Sequence, residues 1–192
     1  MDSVLGLQGK DYALVAADCS AGRSIMVMKH DADKIVKLDD HKIAGIAGPQ
    51  ADAVMFSEYI GKNMALYAIN NDMKLSTHAT ANYIRTELAG ALRRGPYQTN
   101  ILLGGYDADD GASLYFCDYM ASLHKVPFGA HGYCSNFCLS IFDREWKADL
   151  TLEEGLEIVR KCKAELAVRF LIAQPKFLVK IADADGVRTM EL

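Results

Sequence analysis

Along the first quarter of the chain the apolar residues fall in short runs, Ser3 to Gln8, Tyr12 to Ala17, Ser24 to Met28 and Ile43 to Ala47. These runs are rich in Val, Ile, Leu and Ala, and Gly or charged turns separate them, which is the pattern of strands. The period changes at Gly48-Pro49. Phe56, Ile60, Met64 and Tyr67 then recur at steps of four, four and three, one face of a helix that Pro49 opens as its first residue and that runs to about Ile69. Ser76 is placed to cap a second helix, with Ile84, Leu88 and Leu92 on one face and Gly95-Pro96 as its stop.

Strand patterning returns in Thr99 to Tyr106 and Ala112 to Tyr119, which flank the turn-rich Asp107-Ala108-Asp109-Asp110-Gly111 and predict a hairpin. A third helix is expected from near Gly132 to about Phe142. Thr151-Leu152-Glu153-Glu154 has capping-box spacing, and Leu152, Leu156, Val159, Cys162, Leu166 and Phe170 carry a fourth helix to about Ile172. Lys176 to Ala182 and Val187 to Met190, around Asp183-Ala184-Asp185-Gly186, predict a closing hairpin. Blocks of turn-linked strands imply antiparallel sheets, and paired helices between the blocks imply helical layers upon them. The expected fold is α+β, a four-layer αββα sandwich, in a single domain over residues 1–192.

Composition narrows the function. Lys and Arg number 21 against 25 Asp and Glu, a net charge of −4, so no basic field recruits phosphate backbones or anionic lipid, and neither nucleic acid nor membrane is expected as a partner. With 51% hydrophobic and 24% charged residues the chain reads as ordered and globular. No apolar stretch reaches the roughly 18 residues of a spanning helix, and Met1-Asp2-Ser3-Val4-Leu5-Gly6 lacks the basic start and apolar run of a signal peptide, so a soluble protein not exported by that route is expected. The five cysteines, Cys19, Cys117, Cys134, Cys138 and Cys162, include no Cys-x-x-Cys and read as free thiols. Cys134 and Cys138 share a helical face, but no second pair completes a metal site.

Other constellations carry little chemistry. Cys134 with His131 has the residue types of a nucleophile and its base but lacks an orienting partner, and a packed thiol is the preferred reading. Asp107, Asp109 and Asp110 are like the start of a calcium loop, yet Gly111 falls fifth and Asp118 twelfth, where that loop needs Gly sixth and Glu twelfth. Common phosphate-binding, dinucleotide-binding, esterase and zincin motifs do not occur. No cofactor and no metal are expected.

Several segments, taken together, resemble the beta-type subunits of the 20S proteasome, within the N-terminal nucleophile hydrolase superfamily. They are Val15-Ala16-Ala17-Asp18, Asp33-Lys34-Ile35, Gly45-Ile46-Ala47-Gly48, Leu103-Gly104-Gly105-Tyr106-Asp107, Leu114-Tyr115-Phe116-Cys117-Asp118-Tyr119 and Pro127-Phe128-Gly129-Ala130-His131-Gly132-Tyr133. Gly6-Leu7-Gln8-Gly9, Asp11-Tyr12, Ser57-Glu58-Tyr59-Ile60, Pro127-Phe128 with Ala130-His131-Gly132-Tyr133, and Arg160-Lys161-Cys162 extend the likeness to the class at the fourth place of the ring, and this resemblance implies a subunit that does not cut peptide bonds.

The resemblance implies roles that can be checked residue by residue. Active relatives expose an N-terminal Thr, Ser or Cys whose α-amine is the general base. The matching position here is Asp2, after Met1, with no Gly-Thr junction before it. Asp18 and Lys34, sixteen apart (34 − 18), match the supporting Asp and Lys and are expected to pair, and Gly48 matches the oxyanion-hole glycine. Tyr133 stands where active members carry a loop Ser, and Phe170 and Ala173 stand where they carry Asp and Ser. The site therefore reads as vestigial, with Asp18, Lys34 and Gly48 kept and the other positions lost.

A structural subunit of the inner ring is the expectation. It would contact two ring neighbours and the opposite ring of beta subunits, and alpha-type subunits as well. As the family implies, it would help wall the proteolytic chamber and support an active neighbour in ATP- and ubiquitin-linked protein degradation, in cytoplasm and nucleus. The alternative is a peptidase that uses Ser3 after trimming, with Lys34 and Asp18 in support.

Overall fold

The computed structural model describes residues 2–23 and 26–192. Met1, and Ser24 and Ile25 of the expected run from Ser24 to Met28, lie outside the described residues. One sheet contains β1 (Val4–Gln8), β2 (Tyr12–Asp18), β10 (Phe128–His131), β11 (Phe177–Asp183) and β12 (Gly186–Glu191), in the order β10-β1-β2-β11-β12. The other runs in chain order through β5 (Ile35–Asp39), β6 (Lys42–Ala47), β7 (Asn100–Asp107), β8 (Gly111–Cys117) and β9 (Leu123–Lys125). Every pairing is antiparallel, and β3 (Ala21–Arg23) with β4 (Met26–Lys29) forms a separate two-stranded ribbon.

Helices α1 (Gln50–Asn71) and α2 (Thr77–Ala91) join β6 to β7, and α3 (Ser135–Glu145) and α4 (Leu152–Arg169) join β10 to β11. Three apolar layers result. Phe56, Ile60, Ile84 and Leu88 of α1 and α2 pack on Ile101, Leu103 and Tyr115 of the second sheet. Val4, Val15, Ile43, Leu102 and Leu114 fill the space between the sheets. Cys138, Phe142, Val159 and Leu166 of α3 and α4 pack on Leu5, Leu14 and Val179 of the first. This is the αββα sandwich. Its central strands are covered on both faces, which is why β2 is buried at all seven positions and its sequence shows no alternation.

Several boundaries differ from the expected ones for local reasons. Pro49 is extended, with ψ 131°, and stands before α1 as its cap. Gly132 has φ +91°, outside the helical region, so α3 starts only at Ser135. Phe170 is extended and sets its ring edge-on to Phe137, which ends α4 at Arg169. Helix α2 stops at Ala91, ahead of Gly95-Pro96. The expected caps form: the Ser76 hydroxyl accepts Ala79 N–H at 3.1 Å, and Thr151 with Glu154 completes a capping box. Strands β3, β5, β9 and β10 were not foreseen, and all but β5 have four residues or fewer. No helix among the described residues is long and apolar enough to cross a membrane.

Candidate functional site

The site lies where the chain enters β1, where β2 ends, and where β5 and α1 begin. Asp18, the last residue of β2, is fully buried. Its Oδ1 accepts Ser3 N–H and the Lys34 ammonium, each at 2.8 Å, and its Oδ2 accepts Ser20 N–H at 3.0 Å. A buried carboxylate needs such partners, because an unpaired charge there costs several kcal/mol. Lys34 precedes β5 on a turn held from two sides. Asp33 Oδ1 accepts Ile35 N–H at 2.9 Å, while Lys180 of β11 crosses between the sheets to Asp33 Oδ2 at 2.6 Å and to the Ile35 carbonyl.

Asp2 completes the cluster. Its Oδ1 lies 2.8 Å from Lys34 Nζ, matching the Lys34–Asp18 distance, so one ammonium serves two carboxylates. Its Oδ2 accepts Gly48 N–H at 3.1 Å. Gly48 has φ +150°, and a Cβ there would lie 2.3 Å from the Gln98 carbonyl oxygen, so this turn requires glycine. The same holds at Gly132, where a Cβ would meet the Asp2 carbonyl oxygen at 2.1 Å. A cleft of about 350 Å³ opens beside the cluster, with Val36, Ile46, Ala53 and Val54 as its apolar side.

Asp2, Asp18, Lys34 and Gly48 are thus brought into one contact network. Tyr133, Phe170 and Ala173 place no polar side chain in it. The Tyr133 ring is 66% exposed in the turn after β10, the Phe170 ring is packed against the α3–α4 core, and Ala173 is exposed. Ser3 is fully buried, and its hydroxyl donates to Gln174 Oε1 at 2.7 Å. Ser20 and Gln174 escaped notice in the sequence, because their contacts are a backbone N–H and a hydrogen bond across 171 positions. The Asp2 contacts to Lys34 and Gly48 N–H likewise have no local sequence signal.

The thiols are packed. Burial pushes the Cys134 thiol up to about 12, and it donates to the His131 carbonyl at 3.2 Å. The His131 ring stacks on Phe116 at 4.0 Å and points Nε2 at the Ile101 carbonyl at 3.1 Å, so the two side chains do not form a nucleophile and base. Asp107 is occupied with Thr77 N–H at 2.9 and 3.1 Å. Among the described residues no group of three His, Cys, Asp or Glu is placed to hold a metal ion.

Residues 2–182 match the family described as Proteasome subunit. The chain is 50% identical over 188 residues to proteasome subunit beta type-2 of Oryza sativa subsp. japonica, covering 98% of this chain and 89% of that protein. It is 44% identical over 193 residues to proteasome subunit beta type-2 of Dictyostelium discoideum, covering 99% and 97%. Against proteasome subunit beta type-4 of Saccharomyces cerevisiae it is 38% identical over 193 residues, covering 100% and 98%.

Proposed function

We propose that this chain, which belongs to the proteasome subunit family, is a non-catalytic beta-type subunit of the 20S core particle. One observation carries the reading. Acyl transfer by this superfamily needs a hydroxyl or thiol, a base, and N–H donors left open for the oxyanion. At the position matching the nucleophile stands the Asp2 carboxylate, which occupies the Gly48 N–H and shares the Lys34 ammonium with Asp18. Lys34 then serves as counter-ion to two carboxylates, and the surviving residues act as a charge lock that fastens the entry of β1 to β5 and to the turn before α1.

In this reading the chain contributes surfaces. It packs against two neighbours in its ring, the opposite beta ring and the alpha-type subunits, forms part of the chamber wall and supports an active neighbour during ATP- and ubiquitin-linked degradation in cytoplasm and nucleus. The burial of Ser3 and its bond to Gln174 support the reading over a Ser3 nucleophile.

The test uses particles recovered with a tagged copy of this chain and treated with a peptide vinyl sulfone that alkylates N-terminal nucleophiles. Other subunits are labelled and this chain is not, and Ser3→Ala leaves every peptidase activity of the particle unchanged. A labelled Ser3 peptide, or an activity lost in intact Ser3→Ala particles, overturns the assignment.

A further inference from the structure

A second polar site lies on the opposite side of the second sheet from β1. Helix α2 sets His78, Asn82 and Arg85 at steps of four and three, along one face. Strand β9 is the edge of its sheet, and its Leu123 and Lys125, two apart, pair with Cys117 and Tyr115 of β8. Between helix and edge strand is a cleft of about 560 Å³ lined by His78, Asn82, Arg85, Tyr115, Ser122 and Lys125.

Arg85 and Lys125 have no ion-pair partner among the described residues, which is also true of Lys10, Arg93, Arg94 and Lys163, but these two face one cleft together. No carboxylate lines the cleft. Asp118, at the start of the β8–β9 turn, is already committed to Met120 N–H at 3.0 Å and Ser122 N–H at 2.9 Å. Of the remaining polar groups, His78, Tyr115 and Asn82 are linked to one another, His78 Nδ1 lying 3.3 Å from the Tyr115 hydroxyl and Asn82 Nδ2 3.1 Å from His78 Nε2, while the Ser122 hydroxyl lies 3.1 Å from His124 Nε2. Burial, and then Asp107 and Asp110, hold the Tyr115 phenol above its ordinary pKa, so it remains a neutral hydroxyl. In a chain of net charge −4, two cations without counter-ions in a concave, partly apolar recess focus a positive field there.

We propose that this cleft receives the carboxylate of an Asp or Glu side chain from an adjoining subunit, held by Arg85 and Lys125. The inference rests on the reading of the chain as one subunit of a larger particle. A protein carboxylate fits better than a free anion for two reasons. The recess is far larger than a carboxylate or phosphate group, and the turn beside it exposes Tyr119 and Met120, at 44% and 59%, as an apolar rim that a protein surface would cover.

The test treats assembled particles containing the tagged chain with a water-soluble carbodiimide, which joins an amine to a carboxylate in contact with it, and maps the linked peptides. The expected product is an amide between Lys125 and an Asp or Glu of another stoichiometric subunit. It disappears in Lys125→Arg, which keeps the charge and still assembles. The double variant Arg85→Glu/Lys125→Glu is expected to enter particles about tenfold less, as opposed charges now face one another. Particles that contain the chain with Lys125 unlinked overturn this inference alone, and so does a Lys125 linkage to a protein that is not a stoichiometric subunit. Recovery of the chain outside any multi-subunit particle overturns the functional reading, and this inference with it.

Discussion

Asp18 and Asp2 share one lysine but differ in what they leave behind when removed. Asp18 is fully buried and satisfies three donors, so Asp18→Ala strands the Ser3 and Ser20 N–H groups and is expected to cost about 3–5 kcal/mol. Asp2→Ala leaves Lys34 paired with Asp18 and frees a half-buried Gly48 N–H, a loss of about 1–2 kcal/mol. Urea unfolding followed by the fluorescence of Trp146, the chain's single tryptophan, gives both values, and a larger loss for Asp2→Ala would refute the ordering. His131 supplies a pH dependence. Burial pushes its ring down to about 4 from an ordinary 6.5, so the folded protein holds fewer protons here than the unfolded chain. Its contribution is complete above pH 6.5 and declines as the pH falls toward 4, by roughly 3 kcal/mol in total. His131→Phe should flatten that part of the stability profile measured between pH 7 and 4.

Among the elements, α4 has the most explicit start. Thr151 N–H and Oγ1 both donate to Glu154 Oε2, and the Thr151 hydroxyl accepts Glu154 N–H in return. Thr151→Ala is expected to lower stability by about 1 kcal/mol, read from the same urea titration, while Thr151→Ser loses much less. That helix was legible because its signals are local: a cap, an acid three residues on, and apolar steps of three and four. Strands β3, β9 and β10 were not, since a strand of three or four residues carries no period and exists through its partner. Strand β10, for example, is defined by Val4 opposite His131 and Leu7 opposite Phe128. The end of α4 was misplaced for the same reason, because the Phe170 ring follows Phe137 rather than the helical period.

Across the whole molecule, the two sheets meet through a thin layer in which glycine on one face admits a branched side chain from the other. A Cβ on Gly45 would lie 2.5 Å from Val15 Cγ1 and 2.7 Å from Val4 Cγ1, so the sheets approach as closely as they do because that position is bare. Gly45→Val is expected to force them apart at a cost of about 1–3 kcal/mol or more, and Leu114→Ala, deep in the same layer, to cost about 2–5 kcal/mol by opening a cavity. Thermal unfolding of particles carrying either variant measures the effect on assembly as well as on the chain. A Gly45→Val protein as stable as the original would show that the sheets are held by the outer helical layers instead.

Residue types and spacings sufficed for the longer strands, the order of the four helices, the layering and the cap of α4, because each depends on neighbours within a turn or a hairpin, while the interval of sixteen between Asp18 and Lys34 took its meaning from the family resemblance. They did not reveal that Asp2 would close the site. Its oxygens meet Lys34, thirty-two positions away, and Gly48, forty-six positions away, and only the packing of two sheets and the turn before α1 brings these three together. The unpaired state of Arg85 and Lys125 is likewise invisible in a sequence with more acids than bases. Whether a charge has a partner is settled by distances in the folded chain, and those come from which faces the apolar layers bury.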